Sequence, residues 1–181
     1  MKKGLEAGLA AVRLGMAQAA ALPQFPLCAP PVATPRWLIS GNEAAGYGAL
    51  RGGVRFVAAY PITPATELLE WLAPALAKVG GTLVQAEDEL ASINMALGAS
   101  YGGVPSLTAT SGPGLSLMIE SLGLGVAAEV PVVVVDVQRV GPSTGMPTRT
   151  QQSDLLSCAY ASNGDTKHVL LFPEDPKECF D

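Results

Sequence analysis

Charge is in short supply in this sequence. Asp, Glu, Lys and Arg make up only 15% of its 181 residues while 49% are hydrophobic, against roughly a quarter charged in an average soluble domain. The 11 basic residues are outnumbered by 16 acidic ones, for a net charge of -5. That balance lacks the basic footprint of a nucleic-acid binder and disfavours anionic membrane surfaces. Cysteine is scarce too. Cys28, Cys158 and Cys179 lie far apart with no Cys-x-x-Cys pair, which argues against a zinc or iron–sulfur ligand set within the chain and predicts a reduced, cytoplasmic protein. The single histidine, His168, has no cysteine or carboxylate at catalytic or metal-binding spacing. A structural role is predicted for it, and no Ser-His-Asp set can be assembled. Long hydrophobic runs are missing as well: the longest strongly apolar run, residues 130–135, is far below the ~20 residues that span a bilayer. Residues 5–22 follow two lysines and so imitate a signal peptide, but Glu6 and Arg13 interrupt them. Leu5, Leu9, Val12 and Met16 recur instead at the spacing of a helical stripe.

What is present is a chain of one-domain length, enough to bury about 70% of the surface exposed when unfolded. Its 20 glycines and 15 prolines stand singly between apolar runs, where they punctuate structure. Pro23, Pro26, Pro30, Pro31 and Pro35 make residues 22–35 a stiff connector. Residues 1–35 are therefore expected to be a helix plus linker, and 36–181 the domain itself. There, short apolar runs alternate with helical patterns. Strands are predicted at 37–40, 55–59, 82–85, 106–109, 131–136 and 168–172. Helices are predicted at 43–51, 65–79 with a break at Pro74, 88–101, 115–127 and 153–161, with another opening at Pro173. Residues 132–135 are apolar without alternation, as burial on both faces of a parallel sheet requires. The predicted fold is α/β: a doubly wound, mostly parallel sheet with helices on both faces.

In open parallel sheets ligands bind beyond the carboxyl ends of the strands. Five loops there are unusual: Gly41-Asn42-Glu43, Tyr60-Pro61-Ile62-Thr63-Pro64, Glu87-Asp88-Glu89, Thr110-Ser111-Gly112-Pro113-Gly114 and residues 138–150. By the predicted strands all five open on one edge. Two prolines stiffen the backbone around Thr63 and can present its hydroxyl to a ligand, although a rigid helix entry has the same composition. Acids at 87–89 suit the first turn of a helix. At a strand end backed by apolar residues 90–97, one of them can also be desolvated enough to hold a proton. The turn from Thr110 offers helix-start amides and close backbone approach. Pro113 removes one amide, however, and neither a Gly-x-Gly-x-x-Gly nor a Gly-Lys-Ser/Thr pattern is present; a tight turn against another subunit accounts for it equally well. The last loop is long for a connection. It begins with Arg139 at a strand end, placed either to grip a small carboxylate through two hydrogen bonds or to pair with Glu87 or Asp88.

Taken in order, Gly41-Asn42-Glu43-Ala44, Tyr60-Pro61-Ile62-Thr63-Pro64, Ala86-Glu87-Asp88-Glu89, Thr108-Ala109-Thr110-Ser111-Gly112-Pro113-Gly114 and Gln138-Arg139 with Gly141-Pro142-Ser143-Thr144-Gly145-Met146-Pro147-Thr148 carry a family resemblance. The chain resembles the alpha subunit of 2-oxoacid:ferredoxin oxidoreductases, especially the 2-oxoglutarate type, over about residues 38–181. The resemblance implies the thiamine diphosphate-binding fold, in the domain that holds the aminopyrimidine end of the cofactor. It also implies oxidative decarboxylation of a 2-oxoacid with coenzyme A, yielding acyl-CoA, carbon dioxide and reduced ferredoxin. Carried over by motif, Glu89 is the catalytic carboxyl that hydrogen-bonds the pyrimidine ring nitrogen. Tyr60, Pro61, Ile62, Ser111 and Gly112 are expected along the cofactor. Thr63, Arg139, Ser143 and Thr144 are expected around the substrate's carboxylate and carbonyl.

The Gly-Asp-Gly…Asn motif that holds magnesium and diphosphate in thiamine enzymes is missing, since Asn163-Gly164-Asp165 has the wrong order. The family places that motif and the iron–sulfur ligands on the beta subunit or a later domain. The resemblance therefore implies half an active site with no metal of its own, completed by a thiamine-binding beta subunit that carries Mg2+ and the cluster. Residues 1–35 are similar to the tail of a preceding gamma-type domain, and the domain from residue 36 is expected to be incomplete at its C-terminus. The apolar surplus would cover interfaces with the partner or with a second copy. The alternatives are a pyruvate, indolepyruvate or branched-chain 2-oxoacid oxidoreductase subunit, or a noncatalytic interaction subunit with relic motifs.

Overall fold

The computed structural model describes residues 2–23 and 35–181; most of the connector predicted at 22–35, and Cys28 within it, lie outside the described residues. The chain divides into two units, Met1–Trp37 and Leu38–Asp181. In the first, helix α1 spans Lys2–Ala20, over the stretch whose leucines recur at helical spacing. No described helix is long and apolar enough to cross a membrane.

The second unit runs α2 (Gly41–Arg51), β1 (Phe56–Ala59), α3 (Thr66–Lys78), β2 (Thr82–Gln85), α4 (Glu89–Tyr101), β3 (Ser106–Thr110), α5 (Gly112–Ala127), β4 (Val133–Asp136), α6 (Leu155–Ala159) and α7 (Pro176–Phe180). The four strands form one parallel sheet in the order β2-β1-β3-β4. Strand side chains alternate between faces, and each face has its own core. Leu68, Leu72 and Leu76 of α3 pack with Val57, Leu107 and Ala109. Ile93 and Leu97 of α4 pack with Met118 of α5 and with Val132 and Val134. Each such leucine contributes about 1.5–3 kcal/mol by leaving water, which fixes helices to both faces and gives the predicted α/β class.

The strand order contains a reversal. After β1 the chain steps outward to β2, then returns to the other side of β1 to lay down β3 and β4. Pairing between β1 and β3 stops at Val57 and Leu107. The flanking ladders continue to Ala59 with Gln85 and to Thr110 with Asp136. The sheet therefore parts between β1 and β3 at its carboxyl edge, the topological switch point where open α/β sheets take ligands.

Four sequence expectations are corrected. Residues 37–40 form no strand, because Ser40 is committed to α2: its side chain accepts from the Glu43 amide while Glu43 reaches back to the Ser40 amide, a reciprocal cap. Residues 168–172 form no strand either. Nε2 of His168 bonds to the carbonyl of Ala161 and to Ser162 Oγ at 3.0 Å, which holds the start of that segment to the turn before it and gives the histidine its structural role. Pro74 does not break α3. Its missing amide leaves only the Glu70 carbonyl without a helical donor, on an exposed residue that water can serve. Finally, β4 is not buried on both faces. It is an edge strand of the described sheet, as β2 is on the other side, leaving Val133 52% exposed; the fully buried strand is β3.

Candidate active site

Four of the five loops singled out in the sequence leave the carboxyl ends of β1, β2, β3 and β4. The fifth, Gly41 to Glu43, is the first turn of α2, yet it reaches the same edge. Asn42 Nδ2 donates to the Pro64 carbonyl and to Glu67 Oε2, each at 3.3 Å, and so braces the loop after β1.

Arg139 ties three segments together. It is 5% exposed. One guanidinium nitrogen donates to the Thr63 carbonyl at 2.8 Å and the other to the Thr144 carbonyl at 2.6 Å. The predicted alternative of an ion pair with Glu87 or Asp88 is not what forms: both acids are exposed, and Asp88 caps α4 by accepting from the Ala91 amide at 2.7 Å. Nε of Arg139 is buried with no partner, so the side chain keeps one donor in reserve. Ser143 and Thr144 stand on the exposed part of this loop. The loop folds back through a bridge between Val140 and Met146, and Gly145 makes that possible. At φ +61, a Cβ on it would meet the Val140 carbonyl oxygen at 1.6 Å.

Of the three consecutive acids, only Glu89 turns inward, at 7% exposure. Gly114, one turn into α5, makes room for it: a Cβ there would stand 2.8 Å from Glu89 Oε1 and 2.0 Å from Thr110 Oγ1. Ser111 occupies the N-cap position of α5 without capping it, and its Oγ is buried with no partner, as is Thr108 Oγ1 on β3. At Gly112 a Cβ would lie 2.7 and 2.8 Å from the carboxylate oxygens of Asp154. Tyr60 is 40% exposed at the rim, Pro61 is half-buried, and Ile62 packs on the α3 core. The structure thus brings Thr63, Arg139 and Thr144 into direct contact and sets Glu89 against Gly114.

The family profile described as pyruvate flavodoxin/ferredoxin oxidoreductase, thiamine diphosphate-binding, matches residues 47–181. The chain belongs to this family. It is 50% identical over 143 residues to the 2-oxoglutarate synthase subunit KorA of Methanocaldococcus jannaschii, covering 79% of this chain and 39% of that one. The 2-oxoglutarate oxidoreductase subunit KorA of Mycobacterium tuberculosis is 47% identical over 148 residues, 79% of this chain and 22% of its own. The chain therefore spans well under half the length of these curated relatives. A solved 2-oxoglutarate:ferredoxin oxidoreductase from Magnetococcus marinus, with 2-oxoglutarate, coenzyme A and succinyl-CoA bound, superposes with a TM-score of 0.80 at 50% identity, over 95% of this chain and 31% of that one.

The donor set fits a thiamine-binding domain of this family. A buried carboxyl at Glu89, two buried hydroxyls without partners at Thr108 and Ser111, and a glycine that keeps the wall thin are groups that a polar heterocycle can satisfy. Sequence reasoning had singled out neither Asn42 as a brace nor Thr108 as an unpartnered hydroxyl. Both lie within motifs that carry the family resemblance, but a motif does not say which of its side chains is left without a partner.

Proposed function

We propose that this chain supplies the pyrimidine side of a thiamine diphosphate site in a 2-oxoacid:ferredoxin oxidoreductase, acting on 2-oxoglutarate with coenzyme A to give an acyl-CoA, carbon dioxide and reduced ferredoxin. The observation that carries this reading is the inward Glu89 carboxylate, alone among three adjacent acids, against Gly114 at a sheet switch point. When bound, thiamine diphosphate supplies the carbon nucleophile and electron sink for decarboxylation. Glu89 holds a proton at the pyrimidine ring nitrogen through its carboxyl, while Ser111 and Thr108 offer hydroxyls to the same ring system. Tyr60, Pro61 and Ile62 form the stiff wall beside it. Arg139 fixes the Thr63 loop to the Thr144 loop and offers its remaining N–H groups to the substrate carboxylate, a charge-assisted contact. Ser143 and Thr144 close over the substrate. Mg2+, diphosphate ligands and the iron–sulfur cluster belong to a partner beta subunit, and the complex is cytoplasmic. The preference for 2-oxoglutarate rests on the curated relatives and on the Magnetococcus structure, whose bound substrate is that acid.

The test is turnover of the co-expressed complex on a panel of 2-oxoacids with coenzyme A and a viologen acceptor. Reduction fastest with 2-oxoglutarate, and slowed at least ~100-fold by Glu89→Gln, is the expected result, the loss being of the size associated with a general acid–base group. Near-normal turnover of that variant removes Glu89 from the role.

A further inference from the structure

The amino end of α2 meets the amino end of α3 through one side chain. Ser40 and Glu43 cap α2 reciprocally, so the capping is done without Asn42, which lies between them. Gly46 lets the two helices approach, since a Cβ on it would stand 2.7 Å from the Trp71 ring. Asn42 is half-buried there. Its Nδ2 has two hydrogens and gives them to two acceptors, the Pro64 carbonyl and Glu67 Oε2, each at 3.3 Å. Few side chains can do this from so short an arm: an ionised aspartate has no donor, serine has one, and glutamine is longer by a methylene. Glu67 stands in the first turn of α3, where negative charge is favoured. By taking one hydrogen it aims the other at Pro64.

The Pro64 carbonyl is next in the chain to the Thr63 carbonyl, which Arg139 holds at 2.8 Å. Two adjacent peptide planes are thus held by side chains from two different parts of the fold. The proline ring locks φ at Pro64. Once Arg139 has fixed the Thr63 plane, the remaining soft rotation of the turn is ψ of Pro64, and the bond from Asn42 fixes it. We propose that Asn42 is a positioning residue for the 2-oxoacid, completing with Arg139 a clamp on the turn that presents the Thr63 hydroxyl. The link to substrate binding rests on the activity proposed above.

The effect falls on binding. Thr63 stands exposed in the loop after β1, joined through Arg139 to Thr144, whereas Glu89 opens α4 after a different strand, β2. Loss of the Asn42 donor therefore loosens a contact to the substrate and leaves the proton-holding carboxyl where it was. A contact made equally in the ground state and the transition state appears in KM and not in kcat. The turn also carries a probe of its own. The Thr66 amide donates to the Ile62 carbonyl at 3.0 Å, closing a ring around Thr63 and Pro64.

Amide exchange of the full chain, read by NMR, tests the clamp without any activity. Asn42→Ala, and Asn42→Asp of the same shape, are each expected to speed exchange at Thr66 by about three- to tenfold, the worth of one hydrogen bond, while the amides of Phe56–Ala59 in β1 stay as they were. Should one variant fold poorly, the other carries the comparison. In the assembled complex the same variants are expected to raise KM for 2-oxoglutarate by about three- to tenfold with kcat preserved. Asn42→Gln, which keeps the donor on a longer arm, is expected to recover part of that rise. In a Thr63→Ala background Asn42→Ala is expected to add nothing further, because residues acting through one contact are not additive. Unchanged exchange at Thr66, a lower melting temperature with KM unmoved, or an equal rise in KM with Thr63→Ala present overturns the proposal. If the unsubstituted complex turns over no 2-oxoacid, the activity is wrong, and exchange at Thr66 still decides whether Asn42 holds the turn.

Discussion

The Arg139 guanidinium donates to the Thr63 carbonyl at 2.8 Å across 76 positions of sequence, joining the loop after β1 to the loop after β4 over the parting in the sheet. Its second nitrogen holds Thr144. A lysine cannot reach both carbonyls from one ammonium with this fork geometry. Arg139→Lys is therefore expected to raise KM for the 2-oxoacid by about ten- to a hundredfold, the worth of one or two charged hydrogen bonds, with a smaller effect on the melting temperature. Steady-state kinetics of the complex beside a thermal melt separates the two. A large fall in melting temperature with KM unchanged would make Arg139 a brace alone.

Ser111 gives a prediction of opposite sign for stability and function. Its Oγ is buried, caps nothing and has no partner, and an unsatisfied buried hydroxyl costs about 1–3 kcal/mol. Ser111→Ala should leave the ligand-free chain as stable as before or more stable by about 1 kcal/mol. The apparent affinity of the complex for thiamine diphosphate should fall at the same time. Denaturant melts and cofactor titration measure the two effects; unchanged affinity would separate Ser111 from the cofactor.

Much of the fold was legible because local pattern determines local structure. The strand at 82–85 and the helix ending at Tyr101 follow from apolar periodicity bounded by glycines. The order β2-β1-β3-β4 was not legible, since a run of apolar residues says that a strand exists and not which strand lies beside it. Residues 168–172 were over-read for a related reason: strand-like composition cannot supply a ladder where His168 is bonded to the preceding turn. At the site, spacing alone could not choose among Glu87, Asp88 and Glu89; the choice is physical, because Asp88 caps α4 and turns the next residue toward the core. The partners of Arg139 were invisible for a simpler reason. They are backbone carbonyls, which every residue carries.

Two glycines test the packing around Glu89. A Cβ on Gly114 would stand 2.0 Å from Thr110 Oγ1 and 2.8 Å from Glu89 Oε1, whereas one on Gly98, inside α4, meets nothing within 4 Å. Gly114→Ala is expected to cost about 1–3 kcal/mol, as overpacking of a filled site does. Gly98→Ala should stabilise by about 0.5–1 kcal/mol, because alanine loses less backbone entropy in a helix. Placing Gly114→Ala in a Thr110→Ala background should recover part of the loss. Equal effects of the two glycine substitutions in urea melts would mean that the wall beside Glu89 is not tight.

The Asp136 carboxyl also sets how stability depends on pH. Burial and the Asp154 charge raise it to about 7 from an ordinary value of 3.8, so between those limits the folded chain holds a proton that the unfolded chain has released. Stability from this group is therefore complete below about pH 4 and declines as pH rises, reaching its floor once the folded carboxyl has itself ionised above about 7. This runs against the usual carboxylate, which a salt bridge depresses and acid destabilises. Urea midpoints measured from pH 4 to 8 should fall for the unsubstituted chain relative to Asp136→Asn, whose amide does not titrate. The difference between the two curves isolates this carboxyl from every other group in the protein. A difference that stays constant across the range would mean that the Asp136 carboxyl is not raised in the folded chain.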